Sequence, residues 1–356
     1  MTKKVRISKY QLSLLIISFI FHAISGLGAK AKQDAWLALI LAWAGGFILL
    51  AIYLYISILN PEKTLIEILK DIFGKYLGSF LAILYLWYFI HLASIVLSHL
   101  GDFTVNELYP QTPKLFIIIS IVLPIIYILR NGLEVISRTN EIFGPITIFI
   151  IILLFFIMFP LYDLNNLKPF LAKGIKPVIR SSFSLLAFPF GEIVLFLMIF
   201  PYLNNKKVLF KTSFLSYFFI GFFLFIIIIS NLMILGPDMY SRYLFPNIIS
   251  TRINPLINLT PLVVLTVLVG GGVKIVICAY ATITGICQLF NLQSYKLFVI
   301  PVSIIIISLS IWLYDNVIKL VYWDVEIYPY YAIPFQIIIP IMILMGSLIK
   351  KYVKSF

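Results

Sequence analysis

Phe218–Leu235 reads FFIGFFLFIIIISNLMIL and carries no charge. In hydrocarbon every backbone N–H and C=O must be satisfied within the protein, which leaves an α-helix or a closed β-barrel. A barrel strand would alternate apolar and polar side chains over about ten residues. This run does not alternate, and it approaches the roughly 20 residues a helix needs to cross a bilayer. It is read as a membrane-spanning helix.

The rest of the chain agrees. Of 356 residues, 62% are hydrophobic and 12% charged, against about half and a quarter in soluble domains. A soluble fold of this composition would expose apolar patches and aggregate. Hydropathy marks ten stretches, at about 10–29, 36–58, 78–101, 114–130, 142–161, 181–200, 210–236, 258–290, 297–314 and 331–349. Connections are short, so no soluble domain is inserted. The first stretch imitates a secretory signal, with Lys3, Lys4 and Arg6 before an apolar run and Ala29-Lys30-Ala31 in the form of a cleavage site. We retain it as a helix, because its loss would upset the even count and the symmetry described below. Cys278 and Cys287 share one apolar stretch, too far apart along a helix to bridge, and read as small buried residues.

Lys and Arg number 27 against 14 Asp and Glu, a net charge of +13. With the N-terminus in the cytoplasm, the basic residues concentrate in cytoplasmic segments, such as Lys63, Lys70 and Lys75, Lys206, Lys207 and Lys211, and Lys350, Lys351 and Lys354. Both termini are then cytoplasmic. The excess is a topology signal; nucleic-acid binding would need it gathered on one surface. Trp312, Tyr314, Tyr322, Trp323, Tyr328, Tyr330 and Tyr331 flank the last outer loop and read as interface anchors.

Ten helices split into residues 1–161 and 162–356. Five per half puts the second half in inverted orientation, the plan of many secondary transporters, in which the first helix of each half is broken near the midplane. The sixth stretch offers Ala187-Phe188-Pro189-Phe190-Gly191-Glu192. Pro189 removes an amide donor and Gly191 tolerates unusual backbone angles. For the first helix, the candidates are the polar interruption at Ser18 and the run Ser25-Gly26-Leu27-Gly28.

Gln33-Asp34-Ala35-Trp36-Leu37-Ala38, together with Phe190-Gly191-Glu192 and the following Phe200-Pro201-Tyr202-Leu203, resembles the spore germination permease family over essentially the whole chain. The helix-six pattern is also similar to that of amino acid–polyamine–organocation transporters. The resemblance implies an all-α membrane protein of LeuT-like fold, with ten transmembrane helices in an inverted five-plus-five repeat and helices one and six broken. It also implies the B subunit of a nutrient germinant receptor, in the spore inner membrane with an A subunit and a lipoprotein C subunit. Its ligand would be a small germinant, an amino acid by this reading. In place of the family's glycine-containing break, helix one reads Ile17-Ser18-Phe19-Ile20-Phe21-His22.

The candidate ligand site draws on the broken helices and on helices three and eight. Lys274 falls within the eighth stretch, where a lone ammonium is costly and should face a cavity or a partner; otherwise it snorkels outward. Gly271, Cys278, Ala281 and Gly285 share its face at 100° per residue, a small-residue face suited to close packing. In related sodium-coupled transporters a cation lies between helices one and eight, and a lysine there would replace it. Glu192 pairs with Lys274, binds an amino group, serves as a proton site, or caps the broken helix. Phe190 and Gly191 complete the break. His91, Ser94, Ser98 and Asp102 form a polar stripe on helix three, although serines also bond their own backbone. Ser18 and His22 represent helix one, while His22 and His99 also read as structural histidines. Within the family motif of Gln33, Asp34 and Trp36, Asp34 is a favoured N-cap for helix two and Trp36 a belt anchor.

No zincin His-Glu pattern and no phosphate-binding glycine loop with lysine occurs, so no metal, cofactor or catalytic residue is assigned. Two functions compete: a receptor subunit that binds a nutrient and signals to partner subunits, and an autonomous proton-coupled amino acid transporter of the same fold. A membrane enzyme is the weakest reading.

Overall fold

The computed structural model describes residues 6–21, 26–255 and 257–354, and among them the chain is almost entirely helical. The helices are α1 (Lys9–Phe21), α2 (Ala35–Leu59), α3 (Leu65–Glu107), α4 (Lys114–Asn131), α5 (Leu133–Ile157), α6 (Lys176–Leu185), α7 (Leu209–Arg242), α8 (Pro246–Arg252), α9 (Thr260–Phe290), α10 (Val299–Trp312), α11 (Val317–Tyr322), α12 (Tyr328–Ile333) and α13 (Ile339–Lys354). Nine helical runs among the described residues are long and apolar enough to cross a membrane. The protein is a multi-pass membrane protein. Its eighth span is α9, and its tenth runs from α11 through α13.

The described part of the first span is α1, 13 residues or about 20 Å of helix. It is unbroken through Ser18, so that candidate break is not one. Its described residues run to Phe21, and Gly28 adopts φ 70°, a left-handed turn that favours glycine. His22 and Ser25 lie outside the described residues.

Span boundaries also move. The third span begins earlier than residue 78, because Gly74 at φ 77° joins a short leading helix to it. A capping box starts that helix: the Thr64 amide donates to the Glu67 carboxylate at 2.8 Å. The tenth span begins at Val317 rather than 331. Pro329, Pro334 and two wide π turns at Trp323–Ile327 and Pro334–Ile338 interrupt it without ending it.

The connections sort onto two faces. On one, Ile7 pairs with the end of the sixth span, its N–H donating to Tyr202 O at 2.9 Å and its C=O accepting from Asn204 N at 3.0 Å. On the same face Arg6 meets Glu62 at 3.0 Å, Lys70 donates to Leu289 O at 2.8 Å, and Lys350 donates to Asp71 O. The opposite face holds Arg252 with Glu107 at 3.0 Å, and Lys30 and Arg180 sharing Glu326. Both described ends of the chain therefore lie on one face, as an even number of spans requires.

Candidate ligand-binding site

The sixth span breaks where Pro189 cannot donate. α6 ends at Leu185, a π turn covers Leu186–Phe190, and a 3₁₀ segment runs Gly191–Met198. The non-helical residue is Phe188, with φ −135° and ψ 112°. Breaking a helix inside a membrane frees carbonyls that need donors. Gln336 of the tenth span supplies one, its Nε2 donating to Ala187 O at 2.8 Å. Tyr53 of α2 donates to Gln336 O at 2.6 Å, which fixes the tenth span against the second. Gly191 is needed for fit: a Cβ there would stand 2.1 Å from Gln336 Oε1.

Glu192 opens the 3₁₀ segment and is ion-paired with Lys274 of α9, both side chains being 0% exposed. The snorkelling alternative for Lys274 is excluded. Glu192 does not cap the break, which has no side-chain cap hydrogen bond; its oxygens turn instead to Lys274 and to Tyr328 Oη at 2.9 Å. Tyr328 and Tyr88 hydroxyls lie 2.9 Å apart, and Gln336 Nε2 donates to Tyr88 Oη at 2.9 Å. The network thus returns to the broken helix through the amide that holds Ala187. Rings close the remaining side, with the ammonium 4.2 Å from the Phe188 centroid and 5.2 Å from that of Phe19. Spans one, three, six, eight and ten meet at this pair. A buried pair needs further partners to offset its desolvation, and here Tyr328 donates to the carboxylate while the two rings face the ammonium.

The other sequence candidates scatter. Phe190 is buried but faces Tyr217, 5.5 Å between centroids, so the ring over the ammonium is Phe188 instead. Ser18 donates to Asn140 Oδ1 of α5 at 2.9 Å; its neighbour Phe19 faces the pair. Cys278 is fully buried one turn beyond Lys274, whereas Cys287 is partly exposed rather than buried. Gly285 fits the expected packing face, since a Cβ there would press on Leu86 of α3 at 2.6 Å.

The helix-three stripe is not one pathway. Ser94 donates to Ile90 O within its own helix at 2.8 Å. Ser98 accepts from Lys114 at 3.0 Å, and Asp102 pairs with the same Lys114 at 2.8 Å. His91 stacks on Trp87 and meets Tyr331 edge-on. His99 pairs with buried Asp324 of the tenth span.

The motif residues lie away from the pair. Asp34 holds the N-cap position of α2 but makes no cap hydrogen bond; its carboxylate accepts from Leu171 N at 3.0 Å. Gln33 Nε2 donates to Pro169 O at 3.0 Å, and Trp36 packs edge-on to Phe170 and Phe225. Asp34 and Gln33 clamp the loop that leads into the sixth span, which replaces the cap reading of Asp34.

Sequence reasoning misses Tyr53, Tyr88 and Gln336 altogether, and it names Phe188 only as part of the break and Tyr328 only as an anchor. Gln336 had a legible signal, a lone amide between Pro334 and Pro340 in an apolar span. Tyr328 and Tyr331 are corrections: they turn inward, while Trp312, Tyr322 and Tyr330 stay exposed as anchors should.

A helical membrane protein with its sixth span broken beside a buried ion pair has the build of a secondary transporter. The chain superposes on a Na+-coupled sialic acid symporter in its substrate-bound outward-open state with a TM-score of 0.67, at 15% identity, covering 91% of this chain and 80% of that one. It superposes on MhsT in complex with L-phenylalanine with a TM-score of 0.63, at 14% identity, covering 97% and 99%. The fold is the LeuT-like inverted five-plus-five plan. Residues 6–317 match the family described as spore germination protein. Spore germination protein KB of Bacillus subtilis (strain 168) is 32% identical over 98% of this chain and 96% of its own. Spore germination protein A2 of the same organism is 31% identical over 52% and 50%. The chain belongs to the spore germination permease family.

Proposed function

We propose that this protein is the membrane subunit of a nutrient germinant receptor, which binds a small amino acid at the helix-six break and signals to A and C subunits. The observation that carries this reading is the Glu192–Lys274 pair, completely buried against the broken segment. An amino acid's ammonium competes with Lys274 for Glu192, and displacing Lys274 alters the contacts of α9 with spans one and six. The chemistry is a shift between two closed sets of contacts, which is what a signalling subunit requires. The halves divide at residues 161 and 162, and both termini face the cytoplasm of the spore inner membrane.

The fold shared with a sodium-coupled symporter favours a second reading, proton-coupled uptake by this chain alone. Calorimetry on the purified chain in nanodiscs, with each of the common amino acids, tests binding; vesicles with an imposed pH gradient test flux. The receptor reading expects binding that Glu192→Gln abolishes, with no accumulation. Accumulation driven by the gradient would establish the transporter, and no binding by any amino acid would refute both. Orientation is tested by single cysteines in a background lacking Cys278 and Cys287. Those within 62–76 and 203–210 should resist an impermeant thiol reagent applied outside, and those within 168–176 should react. Labelling of both sets from one side would overturn the ten-span topology.

A further inference from the structure

On the face that carries the Asp34 clamp, a cleft of about 900 Å³, mouth included, opens between the turn after α1, the start of the sixth span, the end of α7 and the first part of the tenth span. Lys30, Lys32 and Arg242 line it, and Arg180 stands beside Lys30 across their shared Glu326. Asp238, paired with Lys32, is the second acid there. Two acids thus face four bases, and the balance at the cleft is positive. Ser181 also lines it, 4% exposed, and its hydroxyl is buried with no hydrogen-bond partner. A buried hydroxyl without a partner costs stability unless a ligand or water completes it. The rest of the wall is apolar, from Leu244, Val321 and Val325.

We propose that this cleft is a second ligand site, for a small organic molecule bearing a carboxylate. The excess positive charge attracts and concentrates an anion. The Ser181 hydroxyl donates to one carboxylate oxygen and Arg242 faces the other. The apolar wall takes a short hydrocarbon body, which selects an organic acid over a bare inorganic oxyanion. The cleft lies apart from the Glu192–Lys274 pair, so its occupancy does not depend on the germinant-binding reading above.

The test is titration of the full chain, in nanodiscs of phosphatidylcholine alone, with glutarate, its neutral diamide glutaramide, and inorganic phosphate. Glutarate should bind in the millimolar range, glutaramide should not, and phosphate should bind more weakly than glutarate. Ser181→Ala and Arg242→Gln should each weaken glutarate by about tenfold, the usual worth of one charge-assisted hydrogen bond. Arg242→Lys should restore most of the loss, which separates a charge effect from misfolding. Glutarate affinity should survive Lys274→Met combined with Glu192→Gln, which separates this site from the helix-six break. Undetectable glutarate binding, equal binding of glutaramide or phosphate, or unchanged affinity in the two weakening variants would overturn the proposal. So would loss of glutarate binding on adding phosphatidylglycerol to the disc, which would assign the cleft to lipid headgroups.

Discussion

Two groups of charges in this molecule use the same chemistry to different effect. At the centre, Glu192 and Lys274 are both 0% exposed, with hydroxyls and rings around them. At the rim, Glu326 is shared by Lys30 and Arg180, and the Arg180 side chain is 68% exposed. Coulombic energy scales inversely with the local dielectric, so the central pair is strongly coupled while water and salt screen the rim. The rim can exchange partners at little cost. The centre has two states, paired or broken, and a ligand that breaks it has to supply the replacement charge.

The largest effect is expected from halving the central pair. Lys274→Ala leaves a carboxylate buried beside Tyr328, a loss of roughly 3–5 kcal/mol. Lys274→Met combined with Glu192→Gln should cost less than Lys274→Ala alone, seen as a higher Tm in one detergent and more retained membrane protein. Simple addition of the two single-site losses would mean that the residues are uncoupled and would dissolve the comparison. Gly191→Ala comes next. The added methyl displaces the Gln336 amide that holds Ala187 and Tyr88, an overpacking cost of about 1–3 kcal/mol. Gln336→Ala in the same background should recover part of the lost Tm; no recovery would place the strain elsewhere.

A smaller change is expected from Asp34→Ala. It removes an acceptor from Leu171 N in an exposed loop, where water can replace it, a net cost of about 0.5–1.5 kcal/mol. The readout is proteolysis near residues 168–175, which should accelerate while the helical spans stay intact. An unchanged cleavage rate would show that the clamp does not hold the loop. Smallest of all is Arg180→Gln at the rim, under about 1 kcal/mol and diminishing with added salt. A loss there as large as that of Lys274→Ala would erase the distinction between rim and centre.

What could be read from sequence follows the same division. Charges inside long apolar runs are conspicuous, so Glu192, Lys274 and the Pro189 break were all legible, and the two side chains prove to be partners. The tenth span was harder. Asp324, Glu326 and a cluster of aromatics lower its hydropathy between residues 322 and 331, which imitates an outer loop with interface anchors. Only tertiary packing shows Tyr328 turned to Glu192 and Asp324 turned to His99. The motif at residues 33–36 was visible, but Asp34 stands at a helix start, where local rules favour a cap. Its real partner, Leu171, is distant in the chain and outside the reach of any local rule.

The backbone pairing of Ile7 with Tyr202 and Asn204 has a mechanical consequence. Ile7 lies just before α1, and Asp34 lies just after the turn that follows it. One is tied to the last residues of the sixth span, the other to Leu171 ahead of its first. The sixth span is therefore a rod pinned at both ends to the segments that bound the first. A rod held at both ends yields where it is weakest, and here the α-helical ladder is missing from Leu186 to Met198, with the one non-helical residue at Phe188. Relative movement of the two ends should therefore be taken up beside the Glu192 carboxylate, the one ionised group that opens the 3₁₀ segment.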